Sequence, residues 1–175
     1  MKNTVKITFC GMMCALGVAI MLLAYFPYFT YAVPAIAGLL VLIVYIEIGL
    51  KWSAAVYIIT SVLAFLFCES EAKLMYVFLL GFYPIIKIYI EKIKNRAVSY
   101  VLKFLTFNVC LFIVYLIFGK LFGTVFDIND SLGKFEIIGL ILLGNFVFFL
   151  YDIVLVRAAA FYLDRLHGTI TKIFK

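Results

Sequence analysis

The chain has 175 residues, of which 67% are hydrophobic and 14% charged, and its mean hydropathy is +1.21. Soluble domains are about half apolar and a quarter charged, so a water-soluble fold of this size is excluded. The formal charge of +6 comes without a basic patch interleaved with surface aromatics, which points to an anionic lipid leaflet rather than to nucleic acid.

A spanning helix needs about 20 apolar residues. The chain therefore has room for about six spans with short loops, a single transmembrane domain over 1–175. The first predicted helix covers about 5–26 and stops at Pro27. It follows Lys2 and Lys6 as a signal peptide would, and Ala35-Ile36-Ala37 mimics a cleavage site. Its apolar run from Ile7 to Phe26 is too long for that role, so it reads as a retained span. The second covers about 30–50 and ends at Gly49-Leu50-Lys51. The third covers about 52–68 and is stopped by Glu69-Ser70-Glu71. The fourth covers about 73–92 with Gly81 and Pro84 inside it. The fifth runs from about 98 to 121, after the charged turn Lys92-Ile93-Lys94-Asn95-Arg96. The sixth runs from about 135 to 165, after the longest loop, Gly123 to Lys134. The fold class is thus an all-α integral membrane bundle. A β-barrel would need strands of alternating polarity, and the runs do not alternate. No repeat relates the two halves, which counts against an inverted-repeat transporter.

Six spans put both termini on one side. That side holds Lys2, Lys6, Lys51, Lys87, Lys92, Lys94, Arg96, Lys103, Arg157, Arg165, Lys172 and Lys175, while the other holds Lys73, Lys120 and Lys134. Basic residues accumulate in cytoplasmic loops, so both termini are expected in the cytoplasm. The acids Glu69, Glu71, Asp127, Asp130 and Glu136 then fall outside. Tyrosines 25, 28, 31 and 76 mark the outer boundary. Trp52, Tyr89, Tyr100 and Tyr162 mark the inner one.

Cys10, Cys14, Cys68 and Cys110 imply no disulfide framework. Cys10 and Cys14 share a helix face but have no His or further Cys nearby, so they read as small buried hydrophobes rather than metal ligands. The first helix also carries Gly11, Ala15 and Ala19, a small residue every four positions. In lipid such a stripe lets a second helix approach closely. The occupant is either a helix of the same bundle or a partner protein.

Six spans in this length, cytoplasmic termini and the segment Ala15-Leu16-Gly17-Val18-Ala19 resemble the S-components of energy-coupling factor transporters. These small membrane proteins capture vitamins or metals and deliver them with a transmembrane coupling subunit and two ATPases. The resemblance implies that Ala15 and Ala19 contact the coupling subunit, and that substrate binds near the outer face. The chain departs from this pattern, because its intramembrane polar residues lie from mid-membrane to the cytoplasmic side.

Those residues are Glu47, Lys87, Asn108, Asn145 and Asp152. Ionisable groups at such depth face the interior in pairs, so Lys87 is expected to neutralise Asp152 or Glu47. Alternatively Glu47 pairs with Lys51 at i, i+4, and Lys87 snorkels or meets Glu91. Asp152 has no long stem with which to snorkel and reads as a buried centre. Lys103 and Arg157 read as inner-interface anchors. The candidate substrate-binding set is Asn145, Asp152, Asn108, Lys87, Tyr83 and Tyr31. Pro84 frees the carbonyl near Leu80, so Gly81-Phe82-Tyr83-Pro84 is an expected kink, which either exposes polar backbone to a ligand or is merely structural.

Asp127, Asn129, Asp130 and Ser131 miss the calcium-loop pattern and read as a solvated loop. Glu69, Glu71 and Lys73 are expected at the outer start of the fourth helix. There is no phosphate loop, no H-E-x-x-H and no Gly-x-Ser-x-Gly. The only histidine, His167, sits in the tail. No enzyme, cofactor or metal is expected. The sequence points to a plasma-membrane subunit of bacterial type that captures a small, vitamin-like molecule and is energised by partners. The alternatives are a non-transporting scaffold of a cell-envelope complex, or a proton-linked carrier using Asp152 and Lys87 as a relay.

Overall fold

The computed structural model describes residues 3–26, 28–93, 95–122 and 131–165. Lys2, Pro27, Lys94, the loop with Asp127, Asn129 and Asp130, and the tail with His167, Lys172 and Lys175 lie outside the described residues. So do the side chains of Lys120, Ser131, Lys134 and Glu136.

Every described element is helical. α1 is Asn3–Leu22, continued by a 3-10 turn at Leu23–Tyr25. α2 is Ala32–Ile48 and α3 is Leu50–Phe67. A broken rod follows: α4 (Ser70–Met75), a π-helical stretch at Tyr76–Leu80, and α5 (Tyr83–Ile90). α6 is Arg96–Phe122 and α7 is Ser131–Arg165. Five of these six rods are long and apolar enough to cross a membrane. α2, with 17 residues, is shorter. The helices lie within a few residues of the expected ones, with the expected kink in the fourth and an earlier start to the sixth.

Local chemistry fixes the turns. α2 and α3 are separated only by Gly49, whose φ of 106° lies in the left-handed region that a side chain disfavours. Its N–H still donates to Tyr45 O at 3.0 Å while its carbonyl accepts from Ser53 N at 3.2 Å. At the start of α6, Asn95 Oδ1 accepts from Ala97 N at 3.1 Å, an N-cap that satisfies one free donor of the first turn.

α2 is the central element and packs on α1, α3, the broken rod and α7. One core joins Met21, Val33, Ala37, Val41, Ala64, Ala72 and Tyr76, where small residues let four rods approach closely. A second joins Leu42, Leu79, Tyr83, Phe107, Phe148, Tyr151 and Leu155. The outward faces are also apolar. On α6, Val101, Leu105, Val109, Phe112 and Leu116 recur at helical spacing and are all exposed. That pattern suits lipid rather than water.

Candidate polar centre at the helix break

The fourth rod breaks because proline has no N–H for the carbonyl four residues earlier. The carbonyl left over at Leu80 does not go to solvent: Tyr151 of α7 donates its hydroxyl to it at 2.8 Å. Gly38 of α2 makes the junction possible, since a Cβ there would collide with both Leu80 O and Tyr151 Oη. From the other side, Tyr57 of α3 donates to Val77 O in the π-helical stretch. The kink predicted from Pro84 is therefore real, and its freed carbonyl is taken by a side chain of this chain.

Immediately beyond the break, α5 presents Tyr83 and Lys87 one turn apart on one face. Both reach Asp152, the residue after Tyr151. Tyr83 Oη donates to Asp152 Oδ1 at 2.6 Å. The Lys87 ammonium bonds the same oxygen and also Asp152 O, the latter at 2.8 Å. The expected pairing of Lys87 with Asp152 is thus present, and Glu47 is not its partner. Instead Glu47 accepts from Tyr162 Oη at 2.6 Å.

Lys103 corrects the sequence reading. It is 6% exposed rather than an interface anchor. It lies about 10 Å into α6, seven residues past Arg96, at 1.5 Å per residue. From there it donates to Asp152 Oδ2 at 3.0 Å and to Glu91 Oε1 at 3.0 Å. Glu91 also lies 3.7 Å from Lys87. Two lysines and two carboxylates thus form a neutral network across α5, α6 and α7, with only Glu91 half-exposed. Arg157 is exposed, as an anchor would be.

The remaining candidates do not join this centre. Asn108 and Asn145 face each other on an exposed side of α6 and α7. Asn108 Nδ2 donates to Asn145 Oδ1 at 3.0 Å, and Asn145 Nδ2 returns the bond at 3.2 Å. Each amide also donates to the carbonyl four residues earlier, Phe104 O and Ile141 O. The pair is a helix-to-helix tie whose donors are spent, and it does not line a site with Asp152.

Tyr31 stands at the opposite end of α2 from Glu47. It is exposed, and its hydroxyl donates to Glu71 Oε2 at 3.2 Å. Partial burial, followed by the Glu71 charge, pushes its phenol pKa up. Glu69 sits just before α4 but makes no side-chain cap. Its carboxylate instead accepts from Thr30 at 3.3 Å. Lys73 stacks over Phe65, 4.9 Å from the ring centre.

Beside the break lies a cleft of about 270 Å³, counting its open mouth, lined by Phe78, Phe82, Tyr83, Phe107, Cys110 and Tyr151 among others. Its enclosed free space is only about 10 Å³, room for about one water molecule and far below the roughly 300–1,000 Å³ of ordinary ligand pockets. Among the described residues no group of three metal-ligating side chains converges, and all four cysteines are free thiols.

On α1 the small-residue stripe faces away from the bundle. Gly11, Ala15 and Ala19 are exposed, and a Cβ at Gly11 would meet nothing within 4 Å. The opposite face, with Cys10, Cys14, Gly17 and Met21, is buried. Comparison with known proteins adds nothing to this geometry: the chain matches no protein-family model, no curated protein and no solved structure.

Proposed function

We propose that this protein is a multi-pass subunit of the cell membrane, with both termini in the cytoplasm, that captures a small molecule and works through membrane partners. The observation that carries the reading is the outward Gly11/Ala15/Ala19 stripe. Packing within the bundle does not account for it, because the buried side of α1 is the other face. Small residues exposed to lipid bring no side-chain burial of their own, and they become useful when a second helix lies against them. The similarity to energy-coupling factor S-components supplies the kind of partner, a transmembrane coupling subunit with its ATPases. With the buried Lys87 and Lys103 set aside, the basic residues still divide ten to three, which supports the orientation.

Affinity purification from native membranes tests this, with partners and bound metabolites identified by mass spectrometry. Ala15→Leu and Ala19→Leu are expected to strip the membrane partner while changing the stability of the purified chain by no more than about half a kcal/mol, the range of surface substitutions. Retention of the same partners by both variants counts against the reading. A second reading, a non-transporting scaffold, is favoured by one observation: the hydrogen-bonding groups around Asp152 are taken up within the chain, and the adjacent cleft is small. Partners from the cell-envelope machinery, with no metabolite bound, would establish it.

A further inference from the structure

We infer that the break between Leu80 and Tyr83 is a hinge, locked in the observed state by two consecutive residues of α7, and that releasing either lock opens the cleft beside it. The argument begins with the backbone. Across residues 81–82 the rod is a turn and not regular helix, and the missing Pro84 N–H removes the bond that would tie α5 to the segment before it. An eight-residue helix joined in this way depends on side chains for its position.

α7 supplies them from adjacent positions on either side of the break. Tyr151 binds Leu80 O, the last residue before it. Asp152 binds Tyr83 and Lys87, the first residues after it. α7 runs uninterrupted through this region, so it acts as a rigid splint. The locks differ in kind: the Tyr151 bond is neutral, and the Asp152 contacts are charge-assisted and shared with Lys103.

The cleft is where the motion would register. Tyr83 and Tyr151, one from each lock, both line it, and so does Cys110 of α6. Swinging α5 away from α7 widens that space and leaves in place the buried residues of the α1–α3 core, against which α5 lays the partly buried Ile85. The inference holds whether the chain captures a solute or serves as a scaffold.

Cys110 is a native reporter. Maleimides react with hydrated, ionisable thiols, so the labelling rate of Cys110 reads the opening of the cleft. Cys10, Cys14 and Cys68 are buried elsewhere and serve as internal controls. Burial pushes the Cys68 thiol pKa up, which keeps it slow. The experiment labels the full-length protein in lipid nanodiscs and follows each cysteine by peptide mass spectrometry.

Tyr151→Phe, which keeps the ring and every charge, is expected to raise the Cys110 rate about three- to tenfold, the range that one lost hydrogen bond allows. Asp152→Asn is expected to raise it further, and the three control cysteines stay at their wild-type rates. An unchanged Cys110 rate in Tyr151→Phe overturns the inference, as does a parallel rise at all four cysteines, which signals general loosening. Should Asp152→Asn fail to fold, Tyr151→Phe decides the question alone.

Discussion

Between α1, α2 and α3 the contacts are apolar side chains, supplemented by small groups that donate to backbone carbonyls. Ser53 Oγ reaches Val41 O at 2.9 Å, and Cys14 Sγ approaches Val56 O at 3.9 Å. Between α5, α6 and α7 charges and amides meet across the helices instead. The hydrophobic effect does not drive helices together in lipid, where the tails are as apolar as the side chains. Close packing and polar bonding are the two remaining means; both regions are packed, and the charged and amide contacts across helices are concentrated between α5, α6 and α7. Added volume is therefore expected to cost most in the first region, and a lost charged partner most in the second.

That division can be broken from the polar side first. Asp152→Ala leaves Lys87 and Lys103 buried with only Glu91 to share, and removing one member of a buried ion pair costs about 3–5 kcal/mol. Thermal melting in detergent should therefore show a large loss. Asp152→Ala combined with Lys87→Met and Lys103→Met should recover much of it, since uncharged side chains leave no unpaired ammonium. A small loss for the single variant would mean that the network is solvated and that the two regions do not differ as described.

The junction of the two regions is Gly38, where α2 meets both Leu80 and Tyr151. Gly38→Ala should destabilise by about 1–3 kcal/mol, the usual cost of overpacking, and it should raise hydrogen exchange in residues 76–90 more than in α3. Equal exchange in both segments would show that Gly38 belongs to the first region alone. The smallest effect should come from the amide tie. Asn108→Leu and Asn145→Leu form a double-mutant cycle whose coupling energy is expected near the average of about 0.6 kcal/mol for such bonds in membranes. A coupling of zero, read from the same melting experiment, would remove the amides from the set of contacts that hold α6 to α7.

The sequence made the helices legible because charges and breakers interrupt uniformly apolar runs. The break at Pro84 was legible for the same reason: a missing N–H is a property of the residue and needs no tertiary context. That Lys87 would take a buried acidic partner followed from the cost of burying either charge alone, and the structure selects Asp152 over Glu47. The facing of each helix was harder to read. α6 and α7 are apolar all round, so no polar stripe marks which side turns inward. Lys103 was accordingly read as an anchor, although it points at Asp152. Tyr31 was grouped with a centre that lies toward the far end of the bundle. The bond from Tyr162 to Glu47 spans 115 positions, a distance at which no local pattern carries information. The place of Glu91 in the network was nonetheless visible: with the candidates Tyr83 and Lys87 it recurs every four residues, a polar line along an otherwise apolar helix.

The 17 residues of α2 measure about 25 Å, and the 35 of α7 about 52 Å, at the standard helical rise. A hydrocarbon layer is about 30 Å thick, so the central helix falls about 5 Å short of its full thickness, at the lower limit for a span, and the peripheral helix exceeds it. For a chain embedded as proposed, the lipid meets mainly the perimeter, and α1, α3, the broken rod and α7 shield the short helix. Hydrophobic mismatch, and any sorting between thick and thin membranes that follows from it, is then governed by the outer rods. The shortfall of α2 is then met by the surrounding protein and not by the lipid.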